Sequence, residues 1–289
     1  MLGAQQITPP AIPMPESRHH PAGDITINPI GVVRSRITAL DKMPPAGVPA
    51  DICVHPKFRP ALQDIQSNTH IVVLAWLDMA DRGTLQTLGR RVTSDRQPRG
   101  VFGLRSSNRP NPIGLTSARL LAVEGDLVRL DRLDFVDGTP VIDIKRYSPG
   151  WDSIFSARTD REMRPPAQWP KGEPAEMLLV CIHFHGETCP GSALAVRAVC
   201  YATERWQIGR MHPDLTVTVG DDGCVADGLQ ALTGATFGSG RLHFASSSAF
   251  SLTYQGERIT FLPQETSPAI EDTLRARLSD LFQVTINST

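Results

Sequence analysis

Along residues 26–147 the apolar positions come in short β-like runs separated by turn residues, without the 3.6-residue spacing of helices. The runs are Gly31-Val-Val-Arg34, Ala50-Asp-Ile-Cys-Val-His55, His70-Ile-Val-Val-Leu-Ala-Trp76, residues 116–123, Leu127-Val-Arg-Leu130 and Val141-Ile-Asp-Ile144. Turn signals such as Glu124-Gly-Asp126 and Asp137-Gly138 stand between them, and helical spacing shows only around residues 60–66. Many short strands over this length predict a small closed barrel rather than a doubly wound sheet. No G-x-G-x-x-G follows a first strand, so a Rossmann-type cofactor site is not supported.

Beyond residue 176 the pattern changes. Met177-Leu-Leu-Val-Cys-Ile-His-Phe184 reads as an apolar strand, followed by a tight turn and a helix over 191–208 with Leu194, Val196, Val199, Tyr201 and Trp206 at its apolar positions. A strand Leu215-Thr-Val-Thr-Val219, a short helix near 225–232, a glycine-rich turn over 234–240 and strands around 242–244, 250–254 and 258–262 come next. A last helix over 268–282 would pack Ile270, Leu274, Leu278 and Leu281 along one face. The second half is therefore expected to be α+β. Residues 158–176 are polar and proline-rich and read as a linker, while residues 1–25, with five prolines and the pair His19-His20, have little to bury and read as a disordered or draped arm. The expected organisation is an arm (1–25), a mostly β barrel domain (26–157), a linker (158–176) and an α+β domain (177–289).

Length and charge narrow the function classes. A chain of 289 residues can bury two ordinary cores. The formal net charge of -1 advertises no general nucleic-acid surface, so such contact needs a local patch. Arg90, Arg91, Arg96, Arg99, Arg105 and Arg109 form one basic stretch, open to phosphates or to a salt-paired solvated face. No apolar run is long enough to span a bilayer and no secretory core opens the chain, so a soluble cytoplasmic protein with no membrane partner is expected. Five cysteines at irregular spacing read as reduced thiols or metal ligands.

Two stretches carry chemistry. Residues 100–114 set two prolines around Asn111 with glycines at both ends, a composition that disfavours helix and fits a stiff loop. Such a loop could aim Arg105 and Arg109 at a carboxylate or phosphate, or leave them solvated on a surface turn. In the second half, His185, Cys189 at the mouth of a helix and Cys224 at the start of another offer a soft N/S ligand set for zinc or another transition metal, with simple packing cysteines as the alternative. Read on a strand, His183 shares the face of His185 and is a secondary ligand. Cys53, Cys181 and Cys200 read as packing residues.

The segments Ile30-Gly-Val-Val-Arg-Ser35, His70 with its apolar run, Gly100-Val-Phe102, Arg109-Pro-Asn-Pro-Ile-Gly-Leu115 and Asp137-Gly-Thr-Pro-Val-Ile-Asp-Ile-Lys145 resemble, in this order, the TsaA-like (TrmO-type) family. That resemblance implies a compact, dimeric β-barrel that binds S-adenosylmethionine without a Rossmann fold and methylates N6-threonylcarbamoyl-adenosine of tRNA. It implies a donor pocket lined by Arg105, Asn111, Pro112, Ile113, Gly114 and Leu115 on one side and Asp134, Asp137, Gly138, Thr139 and Pro140 on the other. Asp137 would accept from the ribose diol, and no side chain is singled out as catalytic. The chain departs from the family in two places. The usual Pro-Arg-Gln gives way to Pro44-Pro45-Ala46-Gly47, leaving Ala46 and Gly47 at the donor site, and a strand-end histidine is replaced by Asp78.

Phe184-His-Gly-Glu-Thr-Cys-Pro-Gly191, Cys224-Val-Ala-Asp-Gly-Leu-Gln230 and Gly234-Ala-Thr-Phe-Gly-Ser-Gly240 resemble the FmdE-like family, whose second histidine is Glu187 here. Together the two resemblances imply a methyltransferase acting on tRNA or on a small-molecule acceptor, with a metal-bearing second domain. The competing class is a non-catalytic protein that binds S-adenosylmethionine and metal, linked to molybdenum, tungsten or cofactor metabolism.

Overall fold

The structure, a computed structural model, describes residues 25–44, 46–88, 97–157, 159, 161–169, 173–264 and 269–288. The expected N-terminal arm up to residue 24, Pro45, and Arg90, Arg91 and Arg96 of the basic stretch lie outside the described residues.

Strands β1 (Gly31–Ser35), β2 (Val48–Val54) and β3 (His70–Trp76) are followed by a two-residue pair, β4 (Gln86–Thr87) with β5 (Arg99–Gly100). Then come β6 (Ile113–Glu124), β7 (Leu127–Leu133) and β8 (Pro140–Arg146). Six of these close a barrel in the order β1-β2-β7-β6-β3-β8, every neighbour antiparallel. Alternation drives closure, because Val33, Ala50, Ile52, Val54, Ile71, Val73, Ala75, Val128, Leu130 and Val141 all turn into one core while their neighbours face out. Closed pairing leaves no strand edge for another chain to extend. The periodicity around residues 60–66 becomes 3-10 turns, Pro56–Leu62 and Ile65–Ser67, because Pro60 removes a backbone donor inside the first.

β1 meets β8 only at Gly31 and Val32. Further along, its partner is the loop before β8: Gly138 N–H donates to Val33 O at 2.9 Å, and Ser35 N–H to Asp137 Oδ1 at 3.0 Å. Gly138 has φ +80°, which the chain needs in order to turn there. The Asp-Gly signal thus marks a loop docked on β1 rather than a hairpin between sequential strands.

After α1 (Pro149–Asp152) the second half contains α2 (Glu173–His185), α3 (Pro190–Trp206), β9 (Thr216–Val219), α4 (Gly223–Thr233), β10 (Leu242–Phe244), β11 (Phe250–Tyr254) and β12 (Glu257–Pro263). It ends with α5 (Ile270–Arg275), α6 (Leu278–Leu281) and β13 (Phe282–Ser288). The five strands form one sheet, β10-β9-β11-β12-β13, parallel only between β10 and β9. The helices bury Met177, Cys181, Val196, Val199, Val225 and Leu229 against Val217, Leu252, Ile259 and Phe261. A strand-rich barrel followed by an α+β unit is the architecture read from the sequence.

Two elements differ from that reading. The apolar run after residue 176 is helical: Glu173, Met177 and Cys181 are its buried positions, four apart, a stripe hidden inside an unbroken apolar stretch. The expected last helix is two short ones, interrupted at the extended Ala276, and from Phe282 the chain becomes a strand paired with β12 along its length. Phe282 is buried edge-on to Phe261 at 5.3 Å between ring centres, so the period-2 spacing of Phe282, Val284 and Ile286 outweighed the helical pattern before it.

Candidate functional site

A cleft of about 2690 Å³ opens along the barrel and runs to the second half. Of the donor-site residues expected from the sequence, Ala46, Asp78, Arg105, Ile113, Gly114, Leu115, Asp134 and Thr139 line it. Gly47, Asn111, Pro112, Asp137, Gly138 and Pro140 are not part of that lining among the described residues. Several of these hold the wall from behind. Pro112 O accepts from Leu77 N–H at 2.8 Å, tying the proline loop to the end of β3, and Asp137 Oδ1 is engaged by Ser35. Gly47 has φ +76°, and a Cβ there would come within 2.6 Å of Leu133 O.

Gly114 is a close-packed point of the lining. A Cβ on it would meet Phe135 Cε1 at 2.6 Å and Leu77 Cδ2 at 3.0 Å, so only glycine lets these side chains close on the strand. Phe135 falls within residues 134–140, the wall that the resemblance implies, although an apolar residue just past a strand carries no signal of its own. Beside this seat Arg105 donates to Leu115 O and keeps its exposed guanidinium on the cleft, while Thr116 Oγ1 donates to Asp134 Oδ1.

Arg109 has a different task from the expected one. Its Nε donates to Ser106 O at 2.8 Å and its Nη2 to Val101 O at 2.9 Å and Leu104 O at 2.5 Å. Nε and Nη2 are taken up by the loop's own carbonyls, so Arg109 shapes the loop, and Arg105, exposed and with one such contact, is the more open of the two arginines on the cleft.

The second constellation is at the helix ends. The ligand atoms of His185, Cys189 and Cys224 lie within 4.8 Å of one another. His185 closes α2 on the stripe of Met177 and Cys181, Cys189 is the N-cap of α3, and Cys224 is in the first turn of α4. Close packing of α3 on α4 brings the thiols together: a Cβ on Gly191 would meet Cys224 Cβ at 2.6 Å, and one on Gly228 would meet Ala195 Cβ at 2.7 Å. Asp222 caps α4, Oδ1 accepting from Cys224 N–H at 2.9 Å and Val225 N–H at 3.1 Å. Cys189 Sγ accepts from Ser192 N–H at 3.4 Å.

His185 is oriented by a carboxylate. Nδ1 is 2.8 Å from Asp227 Oδ2, which places the proton on Nδ1 and leaves the Nε2 lone pair free. That Nε2 is buried and has no hydrogen-bond partner. Asp227 lies three residues after Cys224 on the same helix face, a spacing visible in the sequence without its role. Burial, with the Cys189 thiol and the Asp222 carboxylate nearby, pushes the Cys224 thiol up to about 11. Burial raises Cys181 and Cys200 to about 12, as befits packing thiols.

His183 is not on this face. On a helix two residues are about 200° apart, so it points toward the barrel and contacts Arg132 of β7. Crowding by the barrel and the Arg132 guanidinium push its imidazole down to about 4, although one edge stays open to solvent. The strand reading that made His183 a secondary ligand fails with the strand. No helix among the described residues is long and apolar enough to cross a membrane.

Comparison with known proteins accounts for both halves. The tRNA-methyltransferase O N-terminal domain matches residues 33–153, and FmdE, molybdenum formylmethanofuran dehydrogenase operon, matches residues 184–288. A probable S-adenosyl-L-methionine-binding protein of Archaeoglobus fulgidus is 34% identical over 246 residues, 79% of this chain and 63% of that protein. The chain thus spans a little under two thirds of that relative. An S-adenosyl-L-methionine-binding protein of the same organism is 39% identical over 132 residues, 44% of this chain and 93% of that protein. A crystal structure of TrmO aligns at 28% identity with a TM-score of 0.42, covering 50% of this chain and 66% of that one. The chain belongs to the S-adenosyl-L-methionine-binding family built on the tRNA-methyltransferase O N-terminal domain, and it carries an FmdE domain behind its barrel.

Proposed function

We propose that the barrel cleft binds S-adenosylmethionine and that the chain transfers its methyl group to an acceptor entering from the side of the FmdE domain. The observation that carries this reading is the outward face of β6, where Ile113 and Leu115 stand exposed on the cleft beside Arg105, backed by Gly114 packed against Phe135 and Leu77. When bound, S-adenosylmethionine supplies a methyl group on a sulfonium that departs by in-line displacement. Ile113 and Leu115 present apolar surface to a purine face, Arg105 offers a fixed positive charge to the methionyl carboxylate, and Asp134 offers an acceptor to hydroxyls. Such a reaction needs alignment of donor and acceptor more than acid or base chemistry, which agrees with no side chain being singled out as catalytic.

For the acceptor we favour N6-threonylcarbamoyl-adenosine of tRNA, since the matching domain is described as that of a tRNA methyltransferase and Arg99 and Arg105 put positive charge on the cleft for phosphates. Incubation with labelled S-adenosylmethionine and tRNA bearing the unmethylated base should transfer label to that base, and Gly114→Ala should lower transfer about tenfold at donor concentrations well below Kd. Tight donor binding with no transfer to tRNA or to small acceptors would instead establish the non-catalytic reading, which the loss of the Arg and Gln side chains at Pro45 and Ala46 favours.

For the FmdE domain we propose that His185, Cys189 and Cys224 hold a transition metal, with zinc the first choice. The residues fit it: a soft N/S donor set and a buried, unpartnered His185 Nε2. A metal there would supply Lewis acidity. Elemental analysis should find one equivalent in the purified chain and none in the Cys189→Ser, Cys224→Ser double variant. Equal metal content in both would remove this assignment.

A further inference from the structure

We propose that Glu187 is the fourth ligand of the metal held by His185, Cys189 and Cys224. The inference rests on the metal reading above and concerns what completes the site. Three protein donors leave a tetrahedral ion one position short, and that position must face wherever a fourth group can reach.

The geometry supplies the group. Gly186, with φ +95°, reverses the chain directly after α2, so residue 187 returns over the end of the helix it has just left. Glu187 Oε1 lies 3.9 Å from His185 Nε2, the buried atom without a hydrogen-bond partner. Ligand atoms bound at roughly 2.0–2.3 Å to one tetrahedral ion are about 3.3–3.8 Å apart, so against Nε2 the carboxylate needs well under an ångström, and it must swing further to join both thiols, since it lies outside the group of three. The protein donors, within 4.8 Å of one another, need a closure of about one ångström.

Nothing else holds Glu187. Its side chain is 74% exposed, no hydrogen bond to it is found among the described residues, and the carboxylate is free to swing inward. Asp227, the other carboxylate at the site, is already engaged at His185 Nδ1, on the far side of the ring, and is a positioning group rather than a ligand. Glu187 also lines the cleft shared with the barrel. The ion would therefore present to the cleft an oxygen ligand, harder and more exchangeable than the two buried thiolates behind it.

The test uses the full chain, stripped of metal and titrated with Co(II) and with Zn(II) against a competing chelator. Wild type should show thiolate-to-cobalt absorption together with the visible bands of a four-coordinate ion. Glu187→Ala should keep the thiolate absorption, shift the visible bands as water replaces the carboxylate, and bind Zn(II) at least about tenfold more weakly. Glu187→His should restore four-coordinate bands and recover affinity. Because Glu187 is exposed and unpartnered, the metal-free variants should melt with the metal-free wild type, which separates ligand loss from misfolding. An unchanged spectrum and affinity in Glu187→Ala would overturn the fourth-ligand assignment while leaving the three-donor site standing. A wild-type chain that takes up neither metal would overturn both.

Discussion

At the scale of single residues, Gly114 and Arg109 show how little of the proposed donor site is written in ligand-like chemistry. Gly114 matters for what it lacks. Gly114→Ala inserts a methyl group 2.6 Å from Phe135 Cε1, so the ring or the strand must shift. Overpacking of this kind costs about 1–3 kcal/mol, to be read from urea unfolding. The same shift moves the wall of the cleft, and a loss of about 1.4 kcal/mol of donor contact raises Kd about tenfold by calorimetry. Arg109→Lys keeps the charge but cannot present a planar fork to Ser106, Val101 and Leu104 at once. It should destabilise the chain by about 1–3 kcal/mol and speed amide exchange across residues 101–109. Unchanged exchange there would show that the loop holds its shape without the fork.

At the scale of elements, legibility followed the clarity of the period. The barrel strands are short runs closed off by turn residues, and the sequence placed all six because runs of that length with turns at both ends suit strands better than helices. The run Met177-Leu-Leu-Val-Cys-Ile-His-Phe184 is apolar at nearly every position, so strand and helix bury it equally well. The arbiter lay outside it, in Glu173, which extends the four-residue spacing to Met177 and Cys181. That error carried chemistry with it, since His183 and His185 share a face on a strand and oppose each other on a helix. His185, Cys189 and Cys224 could be picked out as residue types, whereas their approach depends on how Gly191 and Gly228 let α3 lie against α4, a contact no local pattern announces. The cap of α4 makes this testable. Asp222→Ala removes the acceptor for Cys224 N–H and Val225 N–H and should cost about 0.5–2 kcal/mol, whereas Asp222→Asn should cost much less. Equal loss in both variants would mean that charge at the helix end, not capping, is what Asp222 contributes.

At the scale of the whole molecule, charge pairs fasten the proline-rich stretch after the barrel to the FmdE domain. Arg161 bridges Glu173 and Glu176 of α2, while Glu162 Oε1 lies 3.4 Å from Arg210 Nη2, whose side chain is 6% exposed and also donates to Leu232 O. Burial alone would raise the Glu162 carboxyl, but hydrogen bonds from Thr159 and the Arg210 guanidinium outweigh it and hold the group below its usual 4.5. A carboxylate whose folded pKa is depressed adds stability that is fully present above the unfolded value and is lost as the pH falls through the folded one. Glu162→Gln should therefore unfold more easily than wild type at pH 7, by about 2 kcal/mol for a hydrogen-bonded charge left without its partner. The gap should narrow from about pH 5 downward, as wild-type Glu162 takes up the proton that makes it resemble glutamine. Urea midpoints of both chains across this range measure the difference directly. A gap that stays constant with pH would mean that Arg210 is held by Leu232 O and packing, and that the stretch is fastened without the charge of Glu162.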